Sequence, residues 1–90
     1  MSFDKYTFFY GSVMYQIPEY MRSGLEDYID NKTPGGSFLS AVISNDLCGA
    51  VACADENNMR NLPAYANFLH NYAPYDCWGS LEKMNAWLEG

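Results

Sequence analysis

The chain has 90 residues, of which 49% are hydrophobic and 18% charged, and this composition excludes intrinsic disorder, which requires low hydrophobicity and high net charge. Its length suits one domain with a modest core. The net charge of -6 repels phosphate backbones and argues against direct binding of nucleic acids. Aromatic residues make up 17% of the chain, so we expect part of the aromatic surface to face a partner or a ligand.

The cysteines and the hydropathy pattern indicate the cellular compartment, which we predict to be the cytosol. There are three cysteines without a C-x-x-C pair, and the sequence has neither a basic, apolar export signal nor an apolar run of about 18 residues. These features predict a reduced, cytosolic protein that does not enter a membrane and needs neither a disulfide nor a metal for folding.

The N-terminal segment, residues 1–16, is predicted to be an aromatic arm. Residues 5–15, KYTFFYGSVMY, are rich in aromatic and β-favouring types, and Gly11-Ser12 is a possible turn or bulge. A lone strand leaves its backbone groups unpaired, so the arm must form a hairpin or pair with a neighbouring subunit. The arm is therefore a candidate for oligomerisation, and residues 17–90 form the predicted helical domain.

The first half of that domain predicts three helices. Pro18 suits a first helical turn, and the glycine-rich run at residues 31–36 ends that helix. Ser37 is a candidate cap for a second helix, and Asn45-Asp46 interrupts the apolar run before a third. The apolar positions recur at helical spacing. They are Met21, Leu25, Tyr28 and Ile29, then Phe38, Leu39, Val42 and Ile43, then Leu47, Ala50, Val51 and Ala54.

The second half continues in the same way. Asp55 is a plausible cap, Pro63 predicts a boundary or kink near residues 61–63, and Ser80 can cap the last helix. An amphipathic helix continues through Tyr65, Ala66, Leu69, Tyr72 and Ala73 to Pro74, and the last helix has Leu81, Met84 and Leu88 inward. The predicted fold is mainly α, a small bundle of four to five short helices with an N-terminal extended arm or short β-strand.

Polar interruptions between the helices define one half of a candidate ligand site. Gly35 and Gly36 precede a helix whose free amides suit an anion, although a tight structural turn is the commoner explanation. Asn45 and Asp46 interrupt an apolar face, where burial requires a hydrogen-bond partner. A helix cap supplies such a partner in most proteins, and a ligand's ribose or base edge is the alternative.

The other half combines amides, arginines and aromatic rings. Asn57 and Asn58 are suited to a nucleobase, while Arg22 or Arg60 is suited to a phosphate. The ordinary explanation of residues 55–60 is a solvated helix start. On the loop before the last helix, Tyr75 and Trp78 are candidates for stacking on a base, although a tryptophan beside glycine more often closes the end of a small core.

Catalysis and metal binding find little support in the sequence. Cys48, Cys53, Cys77 and His70 lack the short spacing of a zinc site, and a buried free cysteine is the ordinary explanation. A nucleophile pair of Cys77 and His70 would lack any recognisable oxyanion motif. We therefore expect that the protein is not an enzyme and that it has no catalytic residue, no bound metal and no cofactor.

The ordered pattern of residues 17–88 resembles a group of small accessory proteins encoded by bacteriophages and prophages. The shared positions are Ile17-Pro18, Pro34-Gly35, Phe38-Leu39, Asn45-Asp46-Leu47, Ala54-Asp55, Asn58 and Cys77-Trp78-Gly79. The resemblance implies an accessory gene product in the host bacterial cytoplasm, and it carries no catalytic residue across.

Two modes of action are compatible with such a protein. The first is sequestration, in which a homo-oligomer traps a nucleotide-derived immune signal without cleaving it. The second is inhibition, in which the acidic surface binds a host protein of defence or nucleic-acid processing. The sequence favours sequestration, because it supplies aromatic rings, asparagines, helix starts and arginines, and lacks a catalytic group.

Overall fold

The computed structural model describes residues 4–90, in which a two-stranded hairpin precedes six α-helices and one 3₁₀ turn. The strands are β1 (Thr7–Tyr10) and β2 (Val13–Gln16). The helices are α1 (Glu19–Asn31), α2 (Ser37–Ile43), α3 (Leu47–Cys53), α4 (Glu56–Arg60), α5 (Leu62–Asn71) and α6 (Leu81–Glu89), with the 3₁₀ turn at Tyr75–Cys77. The prediction of a mainly helical bundle with an N-terminal β element is confirmed. The described helices number six because α4 separates from α5.

The aromatic arm pairs with itself. Strands β1 and β2 are antiparallel, and Tyr10 lies opposite Val13, which leaves a two-residue loop. The first loop residue, Gly11, has a φ of +60°, as a type II′ turn requires at that position. The predicted pairing within a hairpin is therefore the one that forms, and the arm does not need a second subunit to satisfy its strands.

The base of the hairpin packs on the helices through the aromatic ring of Tyr6. The Tyr6 ring stacks on the ring of Phe68 in α5 at a centroid distance of 5.8 Å, and the Ile17 amide donates to the Tyr6 carbonyl over 2.9 Å. Glu26 of α1 accepts a hydrogen bond from the Tyr6 hydroxyl and forms an ion pair with Lys5 at 2.5 Å. Hairpin, α1 and α5 are thus joined at one place.

Helix α1 is bounded by Pro18 at its start and by Lys32 at its end. Pro18 precedes the first helical residue, Glu19, and lies outside the helix rather than in its first turn. Lys32 ends the helix in the left-handed conformation, with a φ of 54°. The Lys32 ammonium lies 3.4 Å from the centre of the Trp87 ring, and the indole of Trp87 donates to the Tyr28 carbonyl. The C-terminal helix α6 is thereby held against the end of α1.

The predicted caps are partly correct. The Asp55 carboxylate accepts from the Asn58 amide and the Ser80 hydroxyl accepts from the Lys83 amide, so both residues cap helices as predicted. Ser37 does not, because it is the first residue of α2 and Gly36 occupies the N-cap position without a side-chain hydrogen bond.

The core lies between α1, α2, α5 and the 3₁₀ turn. Its fully buried large side chains are Tyr28, Tyr65, Phe68, Ile17, Leu25, Ile43 and Cys77. Phe68 is a core residue that the sequence analysis did not select. Leu81 is not one, since 59% of it is exposed, and Trp87 covers that end of the core in its place.

Candidate functional site

An open groove of about 390 Å³ lies between α2, α3 and α5 in the described chain. We call it the Trp78 groove, because Trp78 is the one tryptophan that lines it. The residues that line it are Ala41, Val42, Asn45, Asp46, Leu47, Ala50, Leu62, Tyr65, Ala66, Leu69, His70 and Trp78. Three of these, Asn45, Asp46 and Trp78, belong to the predicted ligand site. The groove has the size and largely apolar lining of a small-ligand or peptide site.

Small side chains create the depth of the groove. Ala41 and Ala50 are buried where α2 and α3 pack, and Ala66 offers no more than a methyl group on α5. On the rim, Leu47 is 70% exposed, a high value for a leucine that borders a cavity. The apolar lining therefore includes both buried and exposed side chains, as at a site that takes an apolar partner.

Trp78 is held in place from both sides. The carbonyl of Cys77 accepts a hydrogen bond of 2.7 Å from the Tyr28 hydroxyl, and the Gly79 amide donates to the Ile43 carbonyl over 2.9 Å. Burial, with a smaller contribution from Cys77, raises the pKa of Tyr28 to about 12, so that its hydroxyl remains a donor at neutral pH. These two bonds hold the backbone on each side of Trp78, and its side chain packs against the core.

The Asn45-Asp46 turn has a structural role. Asn45 has a φ of 64°, a left-handed conformation that asparagine tolerates better than most residues. Asp46 caps α3, because its Oδ1 accepts the Gly49 amide over 3.0 Å, and its own amide donates to the Ala41 carbonyl. The turn sets the angle between α2 and α3, and it leaves both polar side chains at the edge of the groove.

A second cleft, of about 370 Å³, holds two other predicted site residues. It lies beside β2 and the start of α1, and Arg22 and Asn57 line it. The guanidinium of Arg22 is 4.7 Å from the centre of the Tyr6 ring, and its Nε donates to the Ile17 carbonyl. The structure therefore does not bring Arg22 and Asn57 to the Trp78 groove.

The remaining predicted residues outside the glycine pair line neither cavity. Asn58 is buried and accepts a hydrogen bond from the Tyr65 hydroxyl, whereas Arg60 pairs with Glu56 on the exposed side of α4. Tyr75 is 79% exposed, and the Lys83 ammonium lies 4.0 Å from its ring centre.

Gly35 and Gly36 serve different local purposes. A Cβ atom on Gly35 would lie 2.9 Å from the Cβ of Leu39, so this glycine permits close packing at the start of α2. A Cβ on Gly36 would meet nothing within 4 Å. Neither residue lines one of the two cavities described above.

The cysteines and His70 do not assemble a reactive centre in the described residues. Cys48 and Cys53 are exposed on α3, and Cys77 is buried. Burial raises the pKa of the Cys77 thiol, which disfavours the thiolate that a nucleophile needs. Within residues 4–90, no three histidine, cysteine or acidic side chains form a group that could hold a metal ion.

Sequence reasoning missed the α5 face of the groove. Leu62, Tyr65 and Leu69 follow a helical spacing that predicts core, and the core accounts for Tyr65 and Leu69. His70, exposed on the same helix, lines the groove although it was considered for metal binding and catalysis alone. The signal in the sequence was the apolar spacing of Leu62, Tyr65 and Leu69 along α5.

Comparison with known proteins finds no match among family models, curated proteins or solved structures. The resemblance to phage accessory proteins therefore stays a prediction. Between residues 4 and 90, none of the helices combines the length and the apolar character needed to cross a bilayer.

Proposed function

We propose that this chain is a small acidic interaction protein that acts by holding a short apolar segment of a partner protein in the Trp78 groove. The observation that carries the proposal is that the buried Ala41 and Ala50 and the exposed Leu47 line the same largely apolar groove. An amphipathic helix that lays its apolar face into such a groove is a common mode of recognition. Trp78 supplies an aromatic side chain of the kind that binding sites favour.

Charge indicates what flanks the bound segment. Asp46 is the one carboxylate at the groove, and among residues 4–90 no lysine or arginine lines it. Together with the net charge of -6, this favours a partner whose apolar segment is bordered by basic residues. In the setting that the resemblance predicts, a phage protein in the host bacterial cytoplasm, the partner is a host protein of defence or nucleic-acid processing, and binding inhibits it.

A second candidate is sequestration of a nucleotide-derived signal. The convergence of Asn45, Asp46 and Trp78 on one groove supports it, since a base can stack on the indole while the amide and carboxylate bind ribose or base edges. The phosphates, however, would find no basic partner there. All five basic side chains contact other groups. Two form ion pairs, Lys5 with Glu26 and Arg60 with Glu56. Three lie against aromatic rings, Arg22 on Tyr6, Lys32 on Trp87 and Lys83 on Tyr75. This absence of a cation at the groove ranks sequestration second.

The two candidates are separated by a matched pair of leucine variants. Leu47 and Leu81 are each the first residue of a helix, each follows a side-chain cap, and each is exposed. Leu47→Gln alters the rim of the groove, whereas Leu81→Gln makes the same change on α6, away from it. Glutamine leaves the net charge unchanged, so that long-range attraction to a basic partner is the same in both variants.

The probe is a displayed library of short random peptides, selected against the wild-type protein. We expect peptides that combine apolar residues at helical spacing with flanking lysine or arginine. Their affinity should fall by about tenfold or more in Leu47→Gln, a loss of about 1.4 kcal/mol, and stay unchanged in Leu81→Gln. An equal loss of affinity in both variants, or selected peptides whose affinity is unchanged in Leu47→Gln, would contradict the proposal.

The second candidate is tested by calorimetry with cyclic dinucleotides, cyclic oligonucleotides and ADP-ribose derivatives. Binding of one of these compounds, lost in Trp78→Ala but kept in Leu81→Gln, would replace the interaction proposal with sequestration. The fluorescence of Trp78 in a Trp87→Phe background reports directly on occupancy of the groove, because Trp78 is then the single tryptophan.

A further inference from the structure

Two opposite charges line the cleft beside β2 and the start of α1 without pairing with one another. We call this cavity of about 370 Å³ the Arg22 cleft, and both Arg22 and Glu19 line it. Their spacing of three residues on α1 places the two side chains next to one another on the helix surface. Within residues 4–90, however, no ion pair joins them. Both charges are therefore available to a molecule that enters the cleft.

The guanidinium of Arg22 is held in place while part of it stays accessible. Its Nε donates to the Ile17 carbonyl over 2.9 Å, and the group lies 4.7 Å from the centre of the Tyr6 ring. No described residue accepts a hydrogen bond from its two terminal nitrogens, and no buried side-chain nitrogen of the described chain lacks a partner. The terminal nitrogens are therefore open to solvent, and they form the planar pair of donors that binds a carboxylate.

Three elements of the fold border the Arg22 cleft. Met14 and Gln16 belong to β2, Tyr20 to α1 and Asn57 to α4. The Tyr20 hydroxyl donates to the Asp55 carboxylate over 2.5 Å, which ties the start of α1 to the cap of α4. A volume of about 370 Å³ lies near the lower end of the range for small-molecule sites, so the cleft suits a small ligand.

We propose that the Arg22 cleft binds a free α-amino acid. The carboxylate of the ligand accepts two hydrogen bonds from the terminal nitrogens of Arg22, and its ammonium group donates to the Glu19 carboxylate. An α-amino acid carries these opposite charges on groups attached to one carbon atom, which matches two opposite charges that lie side by side. A simple anion is repelled by Glu19, and a simple cation by Arg22. This site is separate from the Trp78 groove and does not depend on the function proposed for that groove.

The experiment is ligand-observed NMR of the full chain with each of the standard L-amino acids at millimolar concentration. Each amino acid that binds is compared with two analogues of the same side chain. The amino acid amide lacks the carboxylate, and the α-hydroxy acid has a hydroxyl in place of the ammonium group. We expect at least one amino acid to bind. Each of its analogues should bind about tenfold more weakly or worse, because one charged group of the cleft is then left without its partner.

Two variants assign each charge of the ligand to one residue. In Glu19→Gln, the preference for the amino acid over the hydroxy acid should disappear while the preference over the amide remains, and in Arg22→Gln we expect the reverse. Arg60→Gln and Glu89→Gln make the same changes at exposed positions that do not line the cleft, and both should bind like the wild type. Circular dichroism shows whether each variant is folded. Glu19→Gln, at an exposed position, carries the test alone if Arg22→Gln does not fold.

Three results would overturn the proposal. The first is that none of the amino acids binds the wild-type protein. The second is that the α-hydroxy acid or acetate binds as tightly as the amino acid, which would make the cleft a site for simple anions. The third is that Glu19→Gln keeps the full preference for the amino acid over the hydroxy acid, since the ammonium group would then lie elsewhere.

Discussion

The Tyr65 hydroxyl donates a hydrogen bond of 2.6 Å to Oδ1 of Asn58, and both side chains are buried. The bond joins α5 to the short helix α4, and Asn58 is the one buried polar side chain in the described chain. Burial raises the pKa of Tyr65 well above its usual value, so the hydroxyl stays protonated and keeps its role as donor. A residue that the sequence suggested for ligand contact thus supports the fold.

We expect removal of either partner to destabilise the protein. Tyr65→Phe leaves the Asn58 oxygen buried without a donor, and Asn58→Ala leaves the hydroxyl without an acceptor, at a cost of about 1–3 kcal/mol each. The double variant should lose less than the sum of the two. Urea denaturation of the four proteins measures this coupling. An Asn58→Ala variant with unchanged stability and lost ligand binding would instead support the ligand role predicted from the sequence.

Asn45 offers a test of backbone conformation. Because its φ is 64°, Asn45→Gly should leave stability unchanged or slightly raised, whereas Asn45→Ala should lose about 1–2 kcal/mol. Thermal unfolding measures the difference, which corresponds to several degrees in a domain of this size. Asn45→Gly also removes the amide from the groove without that penalty, so it is the cleaner variant for nucleotide binding. Equal stability of the two variants would refute the conformational explanation.

Gly35 and Gly36, at the start of α2, differ in the space around them, and substitutions at the two positions should therefore have opposite effects on stability. Gly35→Ala forces a new methyl group to 2.9 Å from the Cβ of Leu39, and overpacking of this kind costs about 1–3 kcal/mol. Gly36→Ser meets open space at an N-cap position without a side-chain bond, so we expect a gain of a few tenths to about 1 kcal/mol. Denaturation midpoints that move in the same direction for both variants would contradict this assignment.

The helices were predictable from the sequence, and the site was predictable in part. Caps such as Asp55 and Ser80 act within a few residues, so their effect can be read locally. The separation of Arg22 and Asn58 from Trp78 depends on how short helices cross, which no local pattern encodes. Asn45 and Asp46 were correctly singled out as a polar interruption, but one pattern serves a turn, a cap and a ligand site equally well.

The attachment of the hairpin should depend on pH through Glu26. Burial opposes ionisation of this carboxyl, but hydrogen bonds from Lys5 and Tyr6 outweigh that effect, and its pKa lies below the ordinary value of 4.5. A lowered pKa in the folded state means that the stabilisation is present above the unfolded-state pKa and is lost as the pH falls through the folded-state pKa. The contacts of Glu26 should therefore stabilise the protein at neutral pH and fail in acid.

Glu26→Gln tests this dependence against the wild type. At neutral pH we expect the variant to be less stable by about 1 kcal/mol or less, as is usual for a partly exposed ion pair. The difference should shrink as the pH falls below 4.5, because the wild-type carboxyl then gains a proton. Urea midpoints along a pH series measure it, and Glu89→Gln at the exposed end of α6 controls for the loss of one negative charge. A deficit that stays constant into acid would mean that the charge of Glu26 does not hold the hairpin in place.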